Sequence, residues 1–143
     1  MNANLQVLRK VAPSVPAASL HRLFGDTLYS DKEPADAAIL VAALANWLYE
    51  WRLFGDLGIY DVVKKLEPAV CQLAEDLAVD DDSAPSILIL TVHDGRWTAC
   101  TGWQQFFDVQ TGKEVEELPG PAVSHLSCDI TALYWRTIPA LHR

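Results

Sequence analysis

The sequence predicts an α+β protein, with an N-terminal helical half packed on a C-terminal small antiparallel β-sheet. Three observations predict it. Before Val79 the apolar residues recur at helical spacing. After Pro85 they gather in short runs separated by turn residues. Between the two lies Asp80-Asp81-Asp82-Ser83-Ala84-Pro85, a polar hinge closed by proline. The expected organisation is a helical half over residues 1–79, an acidic linker over 80–85 and a sheet half over 86–143, forming one compact unit.

The first helix is expected over residues 5–11 and the second over 17–24, with Pro13 and Pro16 between them. The third has the clearest signature. Asp31 and Glu33 put negative charge ahead of it, and Pro34 fits a first turn, where a missing N–H costs little. Leu40, Leu44, Trp47 and Trp51 form one stripe, widened by Ile39, Ala42, Ala43 and Leu48, so this helix should be central. It is expected to end at Phe54, with Gly55 in a left-handed conformation. A fourth helical segment covers 61–78, with Leu66, Val70, Leu73 and Leu77 as its apolar stripe and a new helix starting at Pro68.

Arg-Leu-Phe-Gly-Asp occurs twice, at Arg22 to Asp26 and Arg52 to Asp56, and each copy is followed by Glu-Pro-Ala. Repeats report architecture before chemistry. Arg in a last turn suits the helix dipole, Leu and Phe make the final core contacts, and Gly stops the helix. The repeat therefore reads as one helix-stop signal used twice.

In the second half, residues 86–92 form an apolar run suited to a buried strand. His93-Asp94-Gly95 signals a tight hairpin into a strand over 96–101. Further strands are expected over 103–109 and 113–118, the latter an edge protected by its Glu residues. A last strand over 130–138 is suggested by β-branched and aromatic content.

Residues 87–92, Asp94-Gly95-Arg96-Trp97 and the closing Trp135-Arg136-Thr137-Ile138-Pro139 resemble a phage- and prophage-associated family, domain of unknown function 551. That family has an apolar strand, a Trp-bearing Gly-turn hairpin and a closing Trp-x-Pro-Leu-Pro. The resemblance spans residues 85–141; Thr137 stands at the family's middle Pro, and Tyr134 at the His that precedes its Trp. It implies a mobile-element origin, with no defined activity and no transferable catalytic residue.

The chain of 143 residues carries a net charge of −8, spread over both halves. It has no Lys/Arg cluster of the kind that binds nucleic acid, so direct nucleic-acid binding is not expected. An acidic surface suits the basic surface of another protein. Cys71, Cys100 and Cys128 are widely spaced and odd in number, which points to free thiols in a reducing, cytoplasmic setting. The most apolar stretch, 37–48, is too short to span a bilayer, so no membrane association is expected.

No phosphate-binding glycine loop, nucleophile elbow or zincin helix is present in the sequence, and no cofactor is expected. His93, Cys100, His125 and Cys128 have zinc-compatible donor types but lack a Cys-x-x-Cys pair. Cys128-Asp129 with His125 offers a thiol and a base without an oxyanion-hole signature. Asp26, Asp31, Asp56 and Asp61 would cluster if the two repeats faced each other. The acidic triplet Asp80, Asp81 and Asp82 lacks the glycine and downstream glutamate of a calcium loop. The expected function is that of a small acidic, non-catalytic binding protein of phage or mobile-element type. It would inhibit or modulate a host protein, such as a defence nuclease, by covering a basic surface. Asp80, Asp81, Asp82, Glu114, Glu116 and Glu117 are the candidate acidic contacts, and Trp97, Trp103 and Trp135 the aromatic anchors. The alternatives are a metal-dependent hydrolase using His and Asp residues, and a structural homodimer subunit.

Overall fold

The computed structural model describes residues 3–25, 28, 36–51, 56–79, 87–93, 96–100, 106–108, 111, 113–116 and 124–141. In chain order these form α1 (Ala3–Val11), α2 (Ala17–Phe24), α3 (Asp36–Trp51), α4 (Asp56–Val79), β1 (Ile87–His93), β2 (Arg96–Cys100), β3 (Phe106–Asp108), β4 (Ser124–Asp129) and α5 (Ile130–Leu141). The class is α+β, as expected.

Helix α3 is central. Ile39, Leu40, Val41, Ala42, Ala43, Leu44 and Ala45 are all buried, followed by Leu48 and Tyr49. A helix buried over consecutive residues has no solvent face and must be covered on several sides. Helices α1, α4 and α5 all pack on it, and α2 packs on α4. The few polar groups of α3 are used. Asn46 Oδ1 accepts the Ser14 N–H at 2.8 Å, holding the α1–α2 turn, and its Nδ2 donates to Glu50 at 3.0 Å. The Tyr49 hydroxyl donates to Ser19 Oγ at 2.8 Å in a buried site between α3 and α2.

The first helix-stop cassette behaves as its sequence predicts. Arg22 lies in the last turn of α2, Leu23 is buried, and the Gly25 N–H closes on the His21 carbonyl. Gly25 has φ 53° and ψ −130°. The positive φ is as expected, but the pair matches the first central position of a type II′ turn rather than a left-handed helical residue. Lys64 of α4 reinforces this end: its Nζ lies 3.2 Å from the Leu23 carbonyl and 3.2 Å from Glu67. A cation there offsets the negative pole of α2. In the second copy, Arg52 to Gly55 lie outside the described residues, as do Asp31, Glu33 and Pro34.

Helix α4 corrects two expectations. It starts at Asp56 rather than at residue 61, and it runs through Pro68 without a new start. Pro68 deprives the Lys64 carbonyl of its N–H partner, but both residues are exposed, so water can satisfy that carbonyl. The predicted stripe Leu66, Val70, Leu73 and Leu77 is buried as expected.

The sheet has four antiparallel strands in the order β3-β2-β1-β4. His93 pairs with Arg96, so β1 and β2 are antiparallel neighbours as the sequence predicts; the Asp94-Gly95 turn call lies outside the described residues. Leu88, Leu90 and Ala99 are buried on the helix side, while Ile87 and Ile89 alternate to the other face. Across that outer face Thr91 and Thr98 share a 2.8 Å hydroxyl hydrogen bond. Of the strand expected over 103–109, Phe106–Asp108 is seen as β3; residues 103–105 and 109 lie outside the described residues. Of the edge strand expected over 113–118, residues 113–116 show a single bridge at Glu114, and 117–118 lie outside the described residues. There the Asp108 N–H donates to the Lys113 carbonyl and the Val115 N–H to the Phe106 carbonyl, both at 2.9 Å.

The strand expected over 130–138 is instead helix α5. Ile130, Leu133, Tyr134 and Ile138 are its buried residues, at helical spacing. Strand alternation would have put Ile130, Ala132, Tyr134, Arg136 and Ile138 on one face, mixing core and charge. Asp129 starts the helix by accepting the Ala132 N–H at 3.0 Å, an N-cap. The fourth strand comes earlier, as the polar β4, whose partner β1 lies more than thirty residues back in the chain. Helix α5 packs on both α3 and β1, and the buried side chains of helices and sheet form one hydrophobic cluster.

Truncating Leu44→Ala removes a fully buried side chain from the middle of α3. It is expected to cost about 2–5 kcal/mol in urea or guanidinium unfolding.

Candidate interaction surface

Trp135 stands on the outer side of α5. Ala132, Trp135 and Arg136 are exposed along one stripe, opposite the stripe that enters the core. Trp135 retains 39% of its surface while its neighbour Tyr134 retains 4%. The two rings meet edge to face, with centroids 5.1 Å apart and planes at 86°. Tyr134 is anchored in the core and so supports the flank of Trp135. Among the described residues Trp135 and Ile87 are the large hydrophobic side chains left exposed.

The acidic candidates lie elsewhere. Glu114 and Glu116 are exposed on the segment beside β3, next to the exposed Lys113. This segment is at one end of the sheet order, whereas Trp135 sits on the helix that follows β4 at the other end. Trp97 is half-buried and packs against the core. Asp80, Asp81, Asp82, Glu117 and Trp103 lie outside the described residues, as do Asp26 and Asp31.

Strand parity separates the two cysteines proposed for metal or thiol chemistry. Cys128 pairs with the buried Leu88 and belongs to the helix side of the sheet, whereas Cys100 pairs with Ile89 on the opposite face. Strand alternation therefore keeps the two thiols from a common ion. His93 and His125 occupy strand positions opposite Arg96 and Thr91. Among the described residues no group of three or more His, Cys, Asp or Glu is placed to hold a metal. The carboxylate of Asp129 is engaged in capping α5. Burial pushes the Cys128 thiol up to about 11; Arg136 opposes this and Asp129 adds to it. A thiol so placed stays protonated near neutral pH and is a poor nucleophile.

Sequence reasoning missed the cap at Asp129 and the exposure of Ile87. An Asp three residues before Ala132, at the start of an i, i+3, i+4 apolar spacing, was the signal for the cap. Ile87 carries no such signal, because only the pairing of β1 with β4 settles which face it takes. Among the described residues no helix is long and apolar enough to cross a membrane. No family model, curated protein or solved structure matches the chain.

Two outcomes follow from the Cys128–Asp129 geometry. The Cys128 thiol ionises near 9.0 in an unfolded chain and near 11 in the folded protein. Over that interval the unfolded state releases a proton that the folded state keeps, so stability falls as pH rises from 9.0 toward 11 and is unaffected by this group below. Urea unfolding across this range should show a slope that Cys128→Val reduces. At the adjacent position, Asp129→Ala should cost about 1 kcal/mol and Asp129→Asn much less, since Asn also caps. Equal losses in thermal unfolding would contradict the capping role.

Proposed function

We propose that the protein is a non-catalytic binding protein that docks on a basic surface of another protein. The observation that carries this is the exposed Trp135, held by the buried Tyr134 beside exposed Arg136. Trp, Tyr and Arg are the residue types that concentrate interface energy. The chain's net charge of −8, with Glu114 and Glu116 exposed at the sheet edge, supplies long-range attraction to a basic partner. The resemblance to a phage- and prophage-associated family extends the reading to a mobile-element protein that masks a host protein, such as a defence nuclease. A reducing, cytoplasmic setting suits its three free thiols.

The test is affinity capture from a bacterial lysate, followed by calorimetry on the retained protein. Trp135→Ala is expected to weaken binding by about 2 kcal/mol, roughly thirtyfold. Glu114→Lys with Glu116→Lys should weaken it further and flatten its salt dependence. A partner held equally well at high salt and by the charge-reversed variant would refute docking on a basic surface.

A further inference from the structure

The surface that carries Trp135 differs in charge from the chain as a whole. Over the full sequence 19 Asp and Glu outnumber 11 Lys and Arg. Helix α5, Ile-Thr-Ala-Leu-Tyr-Trp-Arg-Thr-Ile-Pro-Ala-Leu, contains no acidic residue, and Arg136 is its one charged side chain. Arg136 is exposed, and among the described residues it forms no ion pair. The nearest carboxylate in sequence, Asp129, stands about two turns earlier and accepts the Ala132 N–H. The field of Arg136 reaches the foot of the helix. Burial raises the Cys128 thiol most; of its charged neighbours, Arg136 acts more strongly downward than the adjacent Asp129 acts upward. The Trp135 surface is therefore locally positive on an acidic protein. Its shape is set by Ala132, a small exposed residue with Trp135 and Arg136 rising from the next turn on either side of it.

We infer that this surface recognises a partner segment in which an apolar side chain sits beside a carboxylate. The apolar group lies on Ala132 against the Trp135 ring, and the carboxylate takes the Arg136 guanidinium. This rests on the docking reading above and adds the partner's chemistry at the point of contact. Charge complementarity selects the occupant. A guanidinium makes its strongest hydrogen bonds to anionic oxygens and can hold both oxygens of one carboxylate. A lysine or arginine placed here would meet like charge instead. The partner's basic residues belong opposite Glu114 and Glu116, toward the other end of the sheet. The partner thus carries two marks, a basic surface that attracts the chain and an acidic-apolar spot that receives α5.

Random short peptides displayed on phage are the probe, panned in parallel on the full chain and on its Trp135→Ala, Arg136→Glu and Arg136→Lys variants. The unsubstituted chain is expected to enrich peptides with Asp or Glu next to Leu, Ile, Phe or Trp. A net charge of −8 acting alone would favour Lys and Arg, so the acidic preference is diagnostic. Arg136→Lys should keep that preference. Arg136→Glu should lose it, and should bind a peptide selected by the unsubstituted chain at least about tenfold more weakly in fluorescence polarisation. Trp135→Ala should enrich none of these peptides. Selection of Lys- or Arg-rich peptides that depends on Trp135 would overturn this inference and leave docking on a basic surface standing. Acidic peptides that bind Arg136→Glu as well as the unsubstituted chain also overturn it. If no peptide depends on Trp135, the inference and the docking role of Trp135 fall together.

Discussion

The structure depends on the burial of α3. Seven consecutive residues, Ile39 to Ala45, are buried, so this helix cannot lie on a surface. Each fully buried leucine or isoleucine contributes on the order of 1.5–3 kcal/mol, but only while neighbours cover it. Helices α1, α4 and α5 provide that cover, and α5 carries the connection onward to β1. The polar groups of α3 complete the arrangement. Asn46 and Tyr49 hold the turn before α2 and α2 itself, so the two N-terminal helices are fastened to the centre by hydrogen bonds as well as by packing.

The junction between β4 and α5 is where sheet and helices are joined. The chain passes from strand to helix between Asp129 and Ile130, with no intervening loop. Cys128 faces the core at the end of the strand, Asp129 caps the helix, and Ile130 is fully buried on its first turn. The residues that looked most like a thiol site in the sequence are thus occupied in making this turn. Their chemistry follows from the architecture: burial keeps the thiol protonated, and capping engages the carboxylate.

Among the described residues, those available at the surface include an aromatic side chain on a rigid helix and a short charged segment at one end of the sheet. A tryptophan on a helix that is itself pinned by Ile130, Leu133, Tyr134 and Ile138 loses little entropy on contact with a partner.

The sequence by itself determined the α+β class, the central helix, the exact span of α2, the glycine stop at Gly25 and the β1–β2 hairpin. Each is written in local chemistry: helical spacing, a residue tolerant of positive φ, apolar and β-branched runs on either side of a turn signal. Tertiary structure decided the rest. Residues 130–138 have strand-like composition, yet the core beside α3 and β1 rewards the helical spacing of Ile130, Leu133, Tyr134 and Ile138. Pro68 reads locally as a break, yet α4 continues because its lost hydrogen bond falls on the exposed side. The polar β4 has no apolar pattern of its own and is a strand only because β1 offers it a pairing edge. In the candidate surface, the sequence supplied Trp135 and the two glutamates. Which tryptophan stays outside, and which cysteine faces the core, depended on strand parity and helix packing, which no local window contains.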